Sequence, residues 1–318
     1  MIITPDSERW LAQFQIPLHQ RVASAPAELL DYVSAVNQRF AQPGEKTKAV
    51  QGLTNDADET AFFDDVSSSI AELPEPVRHK LEHLLLGVYV GSGVVSSAIT
   101  DVVADSNGRI LGAVVLLDVS AFKTRSANSW MTWKEANPFI QAPNFCLQAE
   151  IADAMQDHRR HAIQYLLLHE FGHVVSINSG LLPNWWEGAA KFRYTEEYDF
   201  LAICWQIAMN GEIIPLIKHR FEQQSKICYY ADPNFEMVEA ESLYSALSKT
   251  GFPSLYAATS VYEDFAESFA SFVHCVLMQR PWRVVIYEEK QVRFCFDGFW
   301  THTRAQRKAS LLAAFLKT

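Results

Sequence analysis

Cysteine is scarce and unpaired in this chain: Cys146, Cys204, Cys228, Cys275 and Cys295 are five in 318 residues, with no C-x-x-C. An odd, widely spaced set excludes a disulfide framework or a cysteine zinc site, and predicts reduced thiols buried as small apolar residues. Long apolar runs are missing too. No stretch approaches ~18 uncharged apolar residues, so no membrane span is expected. There is no basic excess either: 27 Lys+Arg against 37 Asp+Glu give a net charge of −10, the wrong sign for nucleic acid or an anionic membrane as the main partner. The opening Met1-Ile2-Ile3-Thr4-Pro5-Asp6 lacks the basic and apolar regions of a signal peptide. A cytoplasmic chain is expected, or an exported one whose leader has been removed. No repeat or low-complexity tract stands out.

What remains is a globular composition, 49% hydrophobic, long enough for one large core or two modest ones. Residues 1–85 read as a helical N-terminal region, with helices opening at Pro5 and over 26–40, 57–73 and 76–86; residues 41–46 make the clearest linker. From Val88 the composition turns β-branched, and Asn107-Gly108 between two apolar stretches predicts a hairpin within 99–119. Residues 123–143 are irregular and aromatic, compatible with a strand and loops crossing a cleft. Helical patterns recur at 199–209, 215–224 and 238–249, a hairpin at 284–296 and a last helix at 303–316. The fold class expected is α+β: a mixed sheet, chiefly from 86–149, on one side of a cleft and a helical C-terminal part on the other.

The stretch that carries chemistry is His169-Glu170-Phe171-Gly172-His173, an H-E-x-x-H at the end of an apolar helical pattern over 157–175. Residues four apart on a helix lie one above the other, so His169 and His173 can present two imidazoles to one ion with Glu170 beside them as a general base. A core helix with hydrogen-bonded histidines would carry the same letters, so a third ligand is needed. The candidate stretch is Glu263-Asp264-Phe265-Ala266-Glu267, on a helical pattern over 261–278. Glu263 and Glu267 share a face, and two carboxylates there require a cation or donors. One as ligand and one orienting an imidazole meets that need. Ser260-x-x-Glu263 also matches a capping box, in which Glu263 only bonds back to the backbone.

Together these two motifs resemble the gluzincin zinc metallopeptidases, most closely the catalytic domains of the anthrax lethal factor type and their bacterial relatives, whose third-ligand helix reads Glu-x-Phe-Ala-Glu. The resemblance covers about residues 157–278. It implies a zincin-like catalytic domain over 86–318, divided into sheet and H-E-x-x-H helix (86–178) and a lower part with the third ligand (179–318). It implies Zn2+ on His169, His173 and Glu263, with Glu267 holding a ligating histidine and Glu170 as base. A tyrosine seven residues before the ligand steadies the oxyanion in that family, and here that position is Tyr256. The activity implied is hydrolysis of peptide bonds, with a peptide or protein as partner. A non-catalytic zinc-containing binding protein on the same fold is the rival reading, disfavoured by the intact Glu170 and Tyr256. His161 and His274 are expected to be structural, and His79 and His83 to sit on a solvated helix face. Trp185-Trp186 reads either as a substrate-facing wall or as one buried residue with a half-buried neighbour.

Overall fold

The computed structural model describes residues 1–40, 49–53, 57–94 and 96–317. Its first part comprises β1 (Ile2–Thr4), α1 (Ser7–Leu11), β2 (Val22–Ser24), α2 (Ala27–Phe40), α3 (Ala57–Ala71), α4 (Glu75–Leu81), β3 (Leu85–Gly91), β4 (Ala98–Asp105) and β5 (Ile110–Asp118). The strands form one mixed sheet in the order β1-β4-β5-β3-β2, with only the β4–β5 hairpin antiparallel. Along β5 the side chains alternate between two cores: Ala113, Val115 and Leu117 pack with Phe62 and Val66 of α3, while Val114 and Leu116 pack with Trp10, Leu29 and Val33. Helices on both faces explain why β5 reads as a continuous apolar run and not as an alternating one.

The helices expected in residues 1–85 are present, but this region also gives the sheet its two outer strands, so the sheet crosses the boundary expected at residue 86. Each outer strand has only three residues, too few to leave a period-two signal. The linker expected at 41–46 lies outside the described residues. Residues 123–143, irregular in sequence and compatible with a strand and loops, form mainly α5 (Ala127–Glu135), followed by the two-residue β6 (Phe139–Ile140). The Ser126 and Ser129 hydroxyls cap α5 reciprocally, and its aromatic residues fill the space behind the next helix.

Next come β7 (Phe145–Glu150) and α6 (Arg159–Ser176), the helix expected around the H-E-x-x-H. The second half holds α7 (Leu201–Cys204), β8 (Trp205–Ile207), β9 (Ile213–Pro215), β10 (Phe235–Glu236), α8 (Ala240–Leu247), α9 (Val261–Phe272), β11 (Arg283–Glu288), β12 (Gln291–Phe296) and α10 (Gln306–Phe315). The hairpin β11–β12, the last helix and α8 agree with the sequence reading, and β7 adds to the hairpin as a third strand. The helices expected at 199–209 and 215–224 are not formed. After one turn of α7 the chain enters the hairpin β8–β9, whose Asn210-Gly211 turn puts Gly211 at φ 81°, where glycine is favoured. The following segment holds only two short 3₁₀ turns, Ile217–His219 and Gln224–Lys226. All five cysteines are free as expected, but only Cys204 is buried; Cys295 is exposed on the edge strand β12. Among the described residues, no helix is long and apolar enough to cross a membrane.

Candidate metal centre

Every residue of α6 from His161 to Ser176 except His173 is buried, so its polar side chains must find partners inside the protein. The helix meets α9 at one point of backbone contact. A Cβ on Gly172 would stand 2.7 Å from Ala266 Cα, so glycine in the fourth place of the H-E-x-x-H lets the two helices touch. Glu263, almost one turn before Ala266, thereby comes within reach of both histidines.

Glu263 Oε2 lies 3.2 Å from His169 Nε2 and 3.7 Å from His173 Nε2, and the three side chains offer ligand atoms within 4.8 Å of one another. Four-coordinate zinc with bonds of ~2.0–2.2 Å holds neighbouring ligand atoms roughly 3.4 Å apart, a value between the two Glu263–histidine distances. Glu263 Oε2 is also buried without a hydrogen bond of acceptable geometry. A cation between the three groups would remove that deficit. The donor set therefore fits a divalent metal. Electrostatics point the same way. Burial opposes a charge on His169, yet the Glu263 and Glu267 carboxylates push it up to about 10. Burial likewise opposes ionisation of Glu263, but the two imidazoles hold it well below the usual carboxylate range. The group of side chains favours a positive charge at its centre.

Glu267 meets His169 at its other ring nitrogen. Its Oε1 accepts from His169 Nδ1 at 2.9 Å, and its Oε2 accepts from the Ser254 hydroxyl at 2.7 Å. With Nδ1 so engaged, Nε2 is the ring nitrogen that faces Glu263 and His173, where a cation would replace its proton. Glu170 points to the sheet side, where its Oε2 accepts from the Thr100 hydroxyl of β4 at 2.6 Å. Tyr256 stacks on His169, with ring centroids 5.6 Å apart and planes at 20°. Ser260 caps α9 by accepting from Glu263 N–H at 3.2 Å, but only this half of the capping box is present, and the Glu263 carboxylate faces the histidines. These groups line a cleft of about 290 Å³, with Ala98, Ile99 and Thr100 as one wall and Trp185, Tyr256 and Tyr262 opposite. Trp185 meets His173 edge-on at 6.2 Å and lines the cleft, and Trp186 packs edge-on against Trp185; both are partly buried, so neither is the fully buried member of a pair.

The remaining histidines stay away from the centre. Buried His274 bonds through Nε2 to the Ile151 and Pro281 carbonyls, and His161 Nδ1 bonds to the Gln156 carbonyl. His79 and His83 are exposed. Sequence reasoning missed Lys134, whose ammonium lies 3.1 Å from Glu267 Oε1 and 2.9 Å from Glu135 Oε1, all three residues being buried. It also missed Thr100, Ser254 and Tyr230, the last held at φ 60° with its N–H bonded to Asn137 Oδ1. Two serines three apart at Ser126 and Ser129 were the available sign of a helix over Lys134. Comparison of the chain with family models, with curated proteins and with solved structures finds no match.

Proposed function

We propose that the protein is a zinc-dependent peptidase of gluzincin type on a zincin-like fold. The observation that carries this reading is the convergence of His169 Nε2, His173 Nε2 and Glu263 Oε2, with Glu170 directly beside them but outside the ligand set. Zinc, when bound by those three residues, supplies a Lewis acid toward water and the scissile carbonyl. Glu170 accepts the proton of the attacking water and returns it to the leaving amine as the C–N bond breaks. The Thr100 hydroxyl holds one Glu170 oxygen and leaves the other for this transfer. Tyr256 donates its phenol hydrogen bond to the oxyanion that develops on the carbonyl.

The cleft wall supports a peptide as substrate. β1 pairs with β4 only at Val103–Asp105, so Ala98, Ile99 and Thr100 bond to β5 on one side and line the cleft with, among the described residues, no strand on the other. An extended chain can add there as a further strand, its side chains meeting Trp185 and Tyr262. The test is cleavage of a peptide library by wild type, Glu170→Gln and Tyr256→Phe. Glu170→Gln should keep fold and zinc and lose about 10²–10⁴-fold in rate, and Tyr256→Phe about 10²–10³-fold. Wild-type rates in both variants would end the hydrolase reading.

A further inference from the structure

We infer that Lys134 is a positioning residue of the metal centre: its buried ammonium is the counter-charge that keeps the Glu267 carboxylate on His169 Nδ1 and so aims Nε2 at the ion. This rests on the metal-centre reading above and adds a residue that neither motif contains.

A lysine and a glutamate next to one another at the end of a helix are ordinarily a solvated pair. Here Lys134 is 2% and Glu135 0% exposed. Burying either ion is expensive unless charge and hydrogen bonds meet it. The surroundings meet both. Lys134 Nζ donates to Glu135 Oε1 at 2.9 Å and forms an ion pair with Glu267 Oε1 at 3.1 Å, while the Tyr244 hydroxyl donates to Glu135 Oε2 at 2.7 Å. The ammonium also stands 5.1 Å from the ring centre of Tyr256, the ring that stacks on His169.

The decisive detail is which oxygen Lys134 takes. Glu267 Oε1 receives both the ammonium and the His169 N–H, while Ser254 holds Oε2. The carboxylate is thus fixed from three directions, and the imidazole is oriented by a group that cannot rotate. Without the ammonium, the buried Glu135 and Glu267 carboxylates would face each other with no cation between them, and Glu267 would be held by Ser254 and His169 alone.

The experiment measures zinc affinity by chelator competition for wild type, Lys134→Met, Lys134→Arg, Glu267→Gln and the Lys134→Met/Glu267→Gln double variant. Lys134→Met should lose about 10–100-fold in zinc affinity, as for other groups that orient a ligand. Lys134→Arg should recover most of it, and the double variant should be no weaker than Glu267→Gln alone. Should Lys134→Met fail to fold, Lys134→Met/Glu135→Gln removes one charge of each sign and takes its place in the series. A purely structural ion pair would lower the melting temperature and leave zinc affinity unchanged, and that result overturns the assignment; so do losses that multiply in the double variant. Wild type that binds no zinc would overturn the metal centre itself, and Lys134's role with it.

Discussion

Helix α9 buries two carboxylates, Asp264 and Glu267, and gives each a buried lysine from a distant helix, yet the two do different things. Glu267 meets Lys134 of α5, and the group that completes its surroundings is an imidazole, His169. Asp264 meets Lys308 of α10, and its surroundings are completed by Trp205 Nε1–H at 2.9 Å and the Ser268 hydroxyl at 3.2 Å. Burial opposes ionisation of both. At Glu267, Lys134 and His169 outweigh it and bring the carboxyl down to about 2; at Asp264, burial outweighs Lys308 and the carboxyl is raised. A buried lysine–carboxylate pair is therefore no sign of a site by itself. What distinguishes the two is whether the third partner can itself bind something: an imidazole with a free nitrogen can, an indole cannot.

The largest effect should come from breaking the pair remote from the metal. Lys308 is 0% exposed and packed over the rings of Phe200 and Phe252, so Lys308→Met keeps volume but strands Asp264. Removing one partner of a buried pair typically destabilises by about 3–5 kcal/mol. Thermal or urea unfolding should show a loss of that size, while zinc affinity of the folded fraction stays at the wild-type value. A drop in zinc affinity would mean that Asp264 and Glu267 are coupled through α9, and the contrast between them would go.

The two helices were legible in the sequence because their information is local. The H-E-x-x-H lies inside a long apolar pattern, and Ser260 marks the start of α9 as an N-cap, so His169, His173, Glu170, Glu263 and Glu267 stood out as candidates from spacing, while the choice between the two glutamates came from the family resemblance. Lys134, Ser254 and Thr100 carry no such mark. Each reaches the site from an element far away in the chain, and contacts between distant elements leave no periodic trace. The C-terminal region shows a different failure. Asn210-Gly211 was as plain a hairpin signal as Asn107-Gly108, but its three-residue strands are too short to break an apparent helical spacing. The sheet was recognisable from β3 to β5, where apolar residues buried on both faces include Val88, Val90, Val114 and Val115, and not at its three-residue edges.

A smaller effect should follow from moving the helices apart. Gly172→Ala would drive a methyl into Ala266 Cα, a backbone atom that cannot rotate away. Overpacking of this kind costs about 1–3 kcal/mol. Because Glu263 and His173 lie on either side of that contact, the separation should also weaken zinc binding, unlike Lys308→Met. Unchanged affinity in a destabilised Gly172→Ala protein would show that Glu263 follows the histidines by side-chain movement and that helix contact does not set the ligand spacing.

The smallest change expected is also the sharpest on the comparison. Glu267→Gln keeps the shape of the side chain, and an amide oxygen can still accept from His169 Nδ1. The charge is lost, however, and one of the two oxygens becomes an NH₂ that donates only. If the amide oxygen stays on His169 and Lys134, the NH₂ can meet Ser254 Oγ, which can turn to accept; the imidazole then keeps its direction but not its charged partner. Zinc affinity should fall about 10–100-fold, with little change in unfolding, since Lys134 retains Glu135. Asp264→Asn, one turn back on the same helix, should do the reverse: lower the melting temperature by weakening Lys308 and Trp205, and leave zinc where it was. Matching effects of the two substitutions on both measurements would mean that the lysine–carboxylate pairs are equivalent braces of α9. Opposite effects would leave the imidazole at the end of one pair as the feature that converts a structural ion pair into part of a metal site.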